Sequence, residues 1–129
     1  MGLFGSGLYV GDFALDMRSA LGAVLRLPFD PDRLVEILSE RETAAAHNSD
    51  DEDHTTFWLV IADQFAKRGI ACERVRTKAL YIIDTGADIA MLEKLGMKPA
   101  DLRKRQRMLD ELRSRISFPP RQPANREPF

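Results

Sequence analysis

Apolar residues recur along this chain at helical spacing. Phe13, Met17, Leu21 and Val24 follow steps of four and three, the period of one helix face. Asp12 stands where a cap belongs, and Pro28 ends the pattern. Asp30-Pro31 then reads as an N-cap followed by proline at the first helical position. Leu34, Ile37 and Leu38 give a second helix its buried stripe, which fades near Ala46 and gives way to a polar loop, His47 to Asp53. A third helix spans about Thr55 to Arg68. Gly69 is its C′ residue, and Ile70 behind it supplies the apolar contact of a Schellman end. Its run Phe57 to Ala62, with Phe65, wraps most of the circumference, the mark of a central helix.

Val75, Ala79, Ile82 and Ile83 define a fourth helix, about Glu73 to Thr85, closed by Gly86. A short fifth runs from Asp88 to Leu95 and closes at Gly96 and Met97. Pro99 opens the last helix, in which Leu102, Leu109, Leu112 and Ile116 step by seven, three and four. No alternating strand pattern of useful length and no internal repeat appears. The expected fold is all-α, a compact bundle of five to six helices around Phe57–Phe65. An irregular Gly-rich arm, Met1 to Gly11, packs on it. The helical domain is expected over 1–117 and an extended Pro-rich tail over 118–129, with Pro119, Pro120, Pro123 and Pro128.

Composition narrows the class. With 129 residues, 44% hydrophobic and 30% charged, the chain is long enough to bury a core without staples. Cys72 is the only cysteine, so no intrachain disulfide and no all-cysteine zinc site can form. The longest apolar run falls far short of the ~20 residues of a membrane span. The first basic residue, Arg18, follows Asp12 and Asp16, the wrong order for a secretion signal. A cytoplasmic protein without a membrane role is expected. Met1-Gly2-Leu3-Phe4-Gly5-Ser6 fits the loose myristoylation pattern, but its acidic surroundings lack the basic second signal that stable anchoring needs.

Charge is unevenly placed. Residues 1–66 hold 4 Lys+Arg against 12 Asp+Glu, whereas residues 67–129 hold 15 against 8, for a net charge of −1. The simpler expectation is that the halves pack together and their fields cancel. The sharper one is a dipolar surface that steers a charged partner, or pairs head-to-tail with another copy through the acidic 1–66 and basic 67–129 halves.

Several strings suggest chemistry. Asp84-Thr85-Gly86-Ala87-Asp88 resembles the signature of retroviral-type aspartic proteases, which would make Asp84 a catalytic carboxylate sharing a proton with its copy in a second subunit. That family sets the motif in an all-β, glycine-rich dimer, whereas here helical spacing flanks it on both sides, so the match reads as a decoy. The loop His47 to His54 gathers His47, Asp50, Asp51, Asp53 and His54, ligand types for zinc or a non-haem metal. It lacks the glycine and terminal glutamate of a calcium loop, and no second segment completes a ligand set, so no metal or other cofactor is expected. Asp63 inside the most apolar helix is either a perturbed acid–base group or the partner of Lys67 one turn on, the commoner arrangement. Arg103, Lys104, Arg105, Arg107, Arg113 and Arg115 form a partner-binding candidate on the last helix. Without interleaved aromatics they offer phosphate contacts but no base stacking. Gly5, Gly7 and Gly11 miss the dinucleotide fingerprint by one residue.

Two stretches carry a resemblance. Met1-Gly2-Leu3-Phe4-Gly5 with Asp12-Phe13-Ala14-Leu15-Asp16, and Phe57-Trp58-Leu59 with Ile82-Ile83-Asp84-Thr85-Gly86, resemble the signatures of a group of small bacterial proteins. These open Met-Gly-x-Trp/Phe-Gly and continue with an Asp-x-Ala-x-Asp helix. Phe4 stands here in place of the commoner Trp, and the group has no assigned activity. The resemblance implies a bacterial, cytoplasmic, helical protein and no chemistry. Together with the segregated charge and the missing catalytic set, the expected function is a non-enzymatic protein-interaction or regulatory module, immunity-like in kind. Nucleic-acid binding through the last helix and acid-based enzymology are the alternatives.

Overall fold

A computed structural model describes residues 7–9 and 11–117 and contains seven helices among them. They are α1 Asp12–Val24, α2 Pro31–Arg41, α3 Thr43–His47, α4 His54–Lys67, α5 Glu73–Thr85, α6 Ala87–Lys94 and α7 Pro99–Ser117. No strand occurs among the described residues. The all-α expectation therefore holds, with more helices than the five to six expected. The glycines expected in residues 1–6, the acylation pattern at Gly2 and the Pro-rich tail over 118–129 lie outside the described residues.

The extra helix comes from a break in the second apolar stretch. A continuous helix would carry Glu42, four residues after Leu38, onto the buried face. Instead Glu42 leaves the helical region, with φ −124° and ψ 64°, and turns out to pair with Arg41. α3 restarts at once and returns Ala45 and Ala46 to the core. At the opposite margin of α2 the reading is accurate: Asp30 accepts a hydrogen bond from the Arg33 amide at 2.9 Å, and Pro31 is the first helical residue. At α1 it is displaced by one residue. Gly11 is the N-cap, and Asp12 sits in the first turn, near the positive helix end, without capping.

α4 is the axle. It packs against α1, α3, α5, α6 and α7, and eleven of its fourteen residues are buried. Burial of its large apolar side chains contributes roughly 1.5–3 kcal/mol each. The surrounding helices each add one stripe to the core built around it: Ala14, Met17 and Leu21 from α1, Val35 and Leu38 from α2 by way of α1 and α3, Val75, Ala79, Ile82 and Ile83 from α5, Leu109, Leu112 and Ile116 from α7. Leu8 of the arm is buried in the same core.

Glycine ends the helices as the spacing predicts. Ile70 N–H bonds Phe65 O and Gly69 N–H bonds Ala66 O, the paired bonds of a Schellman end; Met97 and Gly96 repeat them on Leu92 and Glu93. Gly86, at φ 74°, both closes α5 and accepts the first bond of α6 from Ala90. A side chain there would be strained, because only glycine takes this backbone conformation at no steric cost.

One polar contact crosses the core. Arg105, on the inward stripe of α7, grips Asp88 of α6 with two donors, Nε at 2.8 Å and Nη2 at 3.2 Å. Asp88 is 0% exposed and Arg105 is 2% exposed. Thr55 of α4 donates to the same carboxylate at 2.8 Å, and Arg105 Nη1 donates to Gly7 O at 2.8 Å. Removing either charge strands the other in the interior. Arg105→Met is expected to destabilise the fold by about 3–5 kcal/mol in urea melts. Adding Asp88→Leu should leave a loss well below the sum of the two single losses, the coupling expected of one shared interaction.

Candidate functional site

Each sequence-derived candidate is best judged by what its side chain already holds. Asp63 is buried on α4 and receives Tyr9 Oη at 2.5 Å, Lys67 Nζ at 3.0 Å and Arg115 Nη2 at 3.1 Å. Gln64 Nε2 donates to Tyr9 Oη at 2.7 Å. Burial pushes the Asp63 carboxyl up, and the bonds from Tyr9, Lys67 and Arg115 more than reverse this, holding it below the ordinary carboxylate range. Burial and the neighbouring carboxylate push the Tyr9 phenol upward. The expected Asp63–Lys67 pair is present, within a larger network that pins the arm to α4 and α7. An ionised carboxylate with three donors is a structural anchor and a poor general base.

Asp84 lies on the last turn of α5, exposed, with Arg113 Nε at 2.7 Å. Arg113 lowers its pKa. The strip 84–88 is a helix end, a Gly86 turn and a helix start, which is no aspartic protease loop. The second acid of that strip, Asp88, is committed to Arg105.

The basic cluster on α7 divides. Arg105 is not a partner-binding residue: it faces the core. The step of seven from Leu102 to Leu109 passes over the position between them that a helix must also turn inward, and Arg105 fills it. Arg113 and Arg115 pair with Asp84 and Asp63. Arg103, Lys104 and Arg107 are exposed and have no carboxylate partner among the described residues.

The acidic loop is not assembled as a metal centre; among the described residues no group of three or more His, Cys, Asp or Glu is placed to hold an ion. Asp51 and Asn48 side chains accept the Asp53 and Asp50 amides and shape the turn. Asp53 is pushed up by burial and by its acidic neighbours. His47 is exposed, but His54 is buried at the start of α4, with Nδ1 2.7 Å from Ala45 O. A carbonyl only accepts, so Nδ1 carries the proton and, in the neutral ring, Nε2 is an acceptor. Cys72 is half-buried, 3.5 Å from Asp32 Oδ1, and burial pushes its thiol up, away from nucleophilic use.

Two concavities stand out among the described residues. A small apolar cavity of about 220 Å³ lies between α4, α5 and α7, floored by Phe65, Val75 and Ile116 and edged by Arg76 and Arg115. Both arginines are occupied, Arg76 by Glu73 and the Ile116 and Ser117 carbonyls, Arg115 by Asp63. The larger is an open groove of about 800 Å³ between the α3–α4 junction and α5, where His47, His54, Trp58, Arg74, Lys78 and Tyr81 converge. Trp58, the only tryptophan, is fixed by its indole N–H on Ala46 O at 3.1 Å. Arg74 and Lys78 lie over its ring at 5.8 and 6.0 Å. The sequence reading missed this groove. Its signal is the turn-by-turn spacing Arg74–Lys78 and Thr77–Tyr81 on α5, opposite the polar face of the His47–His54 segment.

No protein-family model, curated protein or solved structure matches this chain.

Burial lowers the His54 pKa, with Lys78 and His47 acting in the same direction against the Ala45 hydrogen bond and Asp51. The folded chain therefore resists protonation that the unfolded chain accepts. Stability from this site is present above the ordinary histidine value of about 6.5 and declines as pH falls through it towards the lower folded value. A proton NMR titration should place the His54 midpoint below the ordinary histidine value of about 6.5. A midpoint at or above that value would contradict the geometry.

Proposed function

We propose that the chain is a non-enzymatic, cytoplasmic protein-interaction module, regulatory or immunity-like, that presents its acidic half to a basic protein partner. The observation that carries this reading is how little charge the two halves exchange. Among the described residues, Asp63 is the only carboxylate of the first 66 residues that pairs with a cation of the second half, through Lys67 and Arg115. Glu36 and Glu42 pair with Arg33 and Arg41 inside their own half. Among the remaining acids of α1, α2 and the 48–53 loop, Asp12, Asp16, Asp32, Glu40, Asp50 and Glu52 are exposed and have no cation partner among the described residues, so the fields do not cancel locally and the dipolar surface is favoured.

The acidic side also carries apolar anchors. Leu27 is 41% and Phe29 48% exposed in the α1–α2 connection. Phe29 stacks with the Arg33 guanidinium at 6.0 Å, which places it beside the outward face of α2, where Asp32, Glu36 and Glu40 recur at one-turn intervals. An exposed aromatic at the start of an acidic helix face, on which Asp32 and Glu40 have no cation partner among the described residues, has the makings of an interface, with the apolar side chain supplying affinity and the charge supplying steering and register. The candidate acids Asp63, Asp84 and Asp88 are consumed by structural partners, which supports binding over catalysis. The resemblance to small bacterial proteins is compatible with this and adds no chemistry.

A photo-crosslinking residue placed at position 29 in the native host should capture a basic protein. Capture should fail at raised salt and in the E36K/E40K double variant. Once the partner is in hand, Phe29→Ala should cost more than about 1 kcal/mol of binding. A crosslinker at position 107 that captures the partner while position 29 captures none would move the working surface to α7. Capture of a second copy would establish head-to-tail self-association instead.

A further inference from the structure

The groove between the α3–α4 junction and α5 is chemically unlike the rest of the surface. We infer that it is a nucleotide-binding site, with Arg74 and Lys78 taking the phosphate, Tyr81 stacking on the base and His54 Nε2 accepting from a ribose hydroxyl or base N–H. Four observations converge on that ligand.

Arg74 and Lys78 have no carboxylate partner among the described residues and are steered to one side by the Trp58 ring beneath them. The one carboxylate lining the groove, Glu73, is turned to Arg76 at 3.1 Å and to the Thr77 hydroxyl at 3.2 Å. Two free cations one helical turn apart suit a phosphate. Tyr81 is 63% exposed, one turn beyond Lys78 on the same helix, a large ring with its face open to solvent. An aromatic face beside cations is the arrangement on which bases stack. His54 is only 5% exposed, yet it lines the groove, and its Nε2 has no hydrogen-bond partner among the described residues. Because Nδ1 is tied to a carbonyl, that nitrogen accepts in the neutral ring. A bare phosphate presents oxygens, not donors, and leaves it unmatched, whereas ribose hydroxyls and base amines match it. Finally, an opening of about 800 Å³ is within the range of small-molecule sites and is larger than an inorganic anion needs.

Trp58 lies under both cations and is the only tryptophan, so its fluorescence in the full chain reports occupancy. Titrations would use adenosine monophosphate, adenosine, inorganic pyrophosphate and a short oligoadenylate. Saturable binding of the monophosphate is expected, with adenosine and pyrophosphate each about tenfold weaker. R74Q/K78Q should weaken the monophosphate about tenfold. Tyr81→Ala should weaken it by a similar factor while leaving pyrophosphate unchanged. These three side chains lie outside the core, and an unchanged far-ultraviolet dichroism spectrum would confirm that the variants fold. His54 imidazole resonances should move with the monophosphate and stay still with pyrophosphate. An oligoadenylate that binds more tightly than the monophosphate identifies a single strand as the source of the nucleotide; equal affinity identifies the free nucleotide. The assignment is overturned if no ligand gives a saturable change. It is also overturned if pyrophosphate matches the monophosphate and Tyr81→Ala changes neither.

Discussion

The buried pair Asp88–Arg105 is the constraint on which the arrangement of the other elements depends. An ionised carboxylate with no exposure is tolerable only if its donors are fixed, and three come from two different helices, Arg105 on α7 and Thr55 on α4. The same guanidinium reaches Gly7 O in the arm. Four segments distant in sequence must therefore meet at one point, or a charge is left in the core without compensation. Such a pair adds little net stability compared with an apolar filling. It does penalise every arrangement in which α6, α7 and the arm dock out of register with α4.

A second polar station repeats the device at the other end of the same faces. Asp63 on α4 collects Tyr9 from the arm and Arg115 from α7, ten residues beyond Arg105. Arm and last helix are thus each held twice against α4, at Gly7 with Arg105 and at Tyr9 with Arg115. Two stations so spaced fix rotation as well as position. Arg18 and Lys67 approach the Tyr9 ring at 4.8 and 5.5 Å, so the arm is also covered by cations. The candidate acids of the interior serve architecture, which is why no acid–base pair stands free among them.

Sequence periodicity made the fold legible because burial here is organised by helix face. α5 shows this best: all four residues read as its inward stripe are buried, and its limits are those the caps imply. The glycine stops are equally legible, since Gly69, Gly86 and Gly96 all take positive φ. Apart from the α1 cap, which falls on Gly11 rather than Asp12, the errors within helices have one origin, charged residues at inward positions. Glu42 at such a position breaks a helix in two; Arg105 at such a position is kept and neutralised. Composition cannot separate these outcomes, because the difference lies in whether a distant carboxylate is available, and Asp88 is seventeen residues away. The groove was illegible for a related reason. Its cations, imidazole and aromatic ring come from two segments that only the packing of α5 on α4 brings together.

Seen from the charges left over, the molecule has two working sides of different kinds. On α2 the unmatched groups are the carboxylates Asp32 and Glu40, on the helix that follows exposed Leu27 and Phe29, a surface on which affinity must come from area and apolar anchoring. Along α5 the unmatched groups are cations around a concavity that also holds a ring and a directional acceptor, so affinity there can come from a few well-placed contacts on a small ligand. α4 contributes His54 and Trp58 to the groove and packs on α1, α3 and α5. His54 and Trp58 hold the Ala45 and Ala46 carbonyls, so the floor of the groove is also the C-terminal end of α3, and α3 packs directly on α2. The groove and the acidic face therefore rest on the same short helix, held from one side by His54 and Trp58 and from the other by α2.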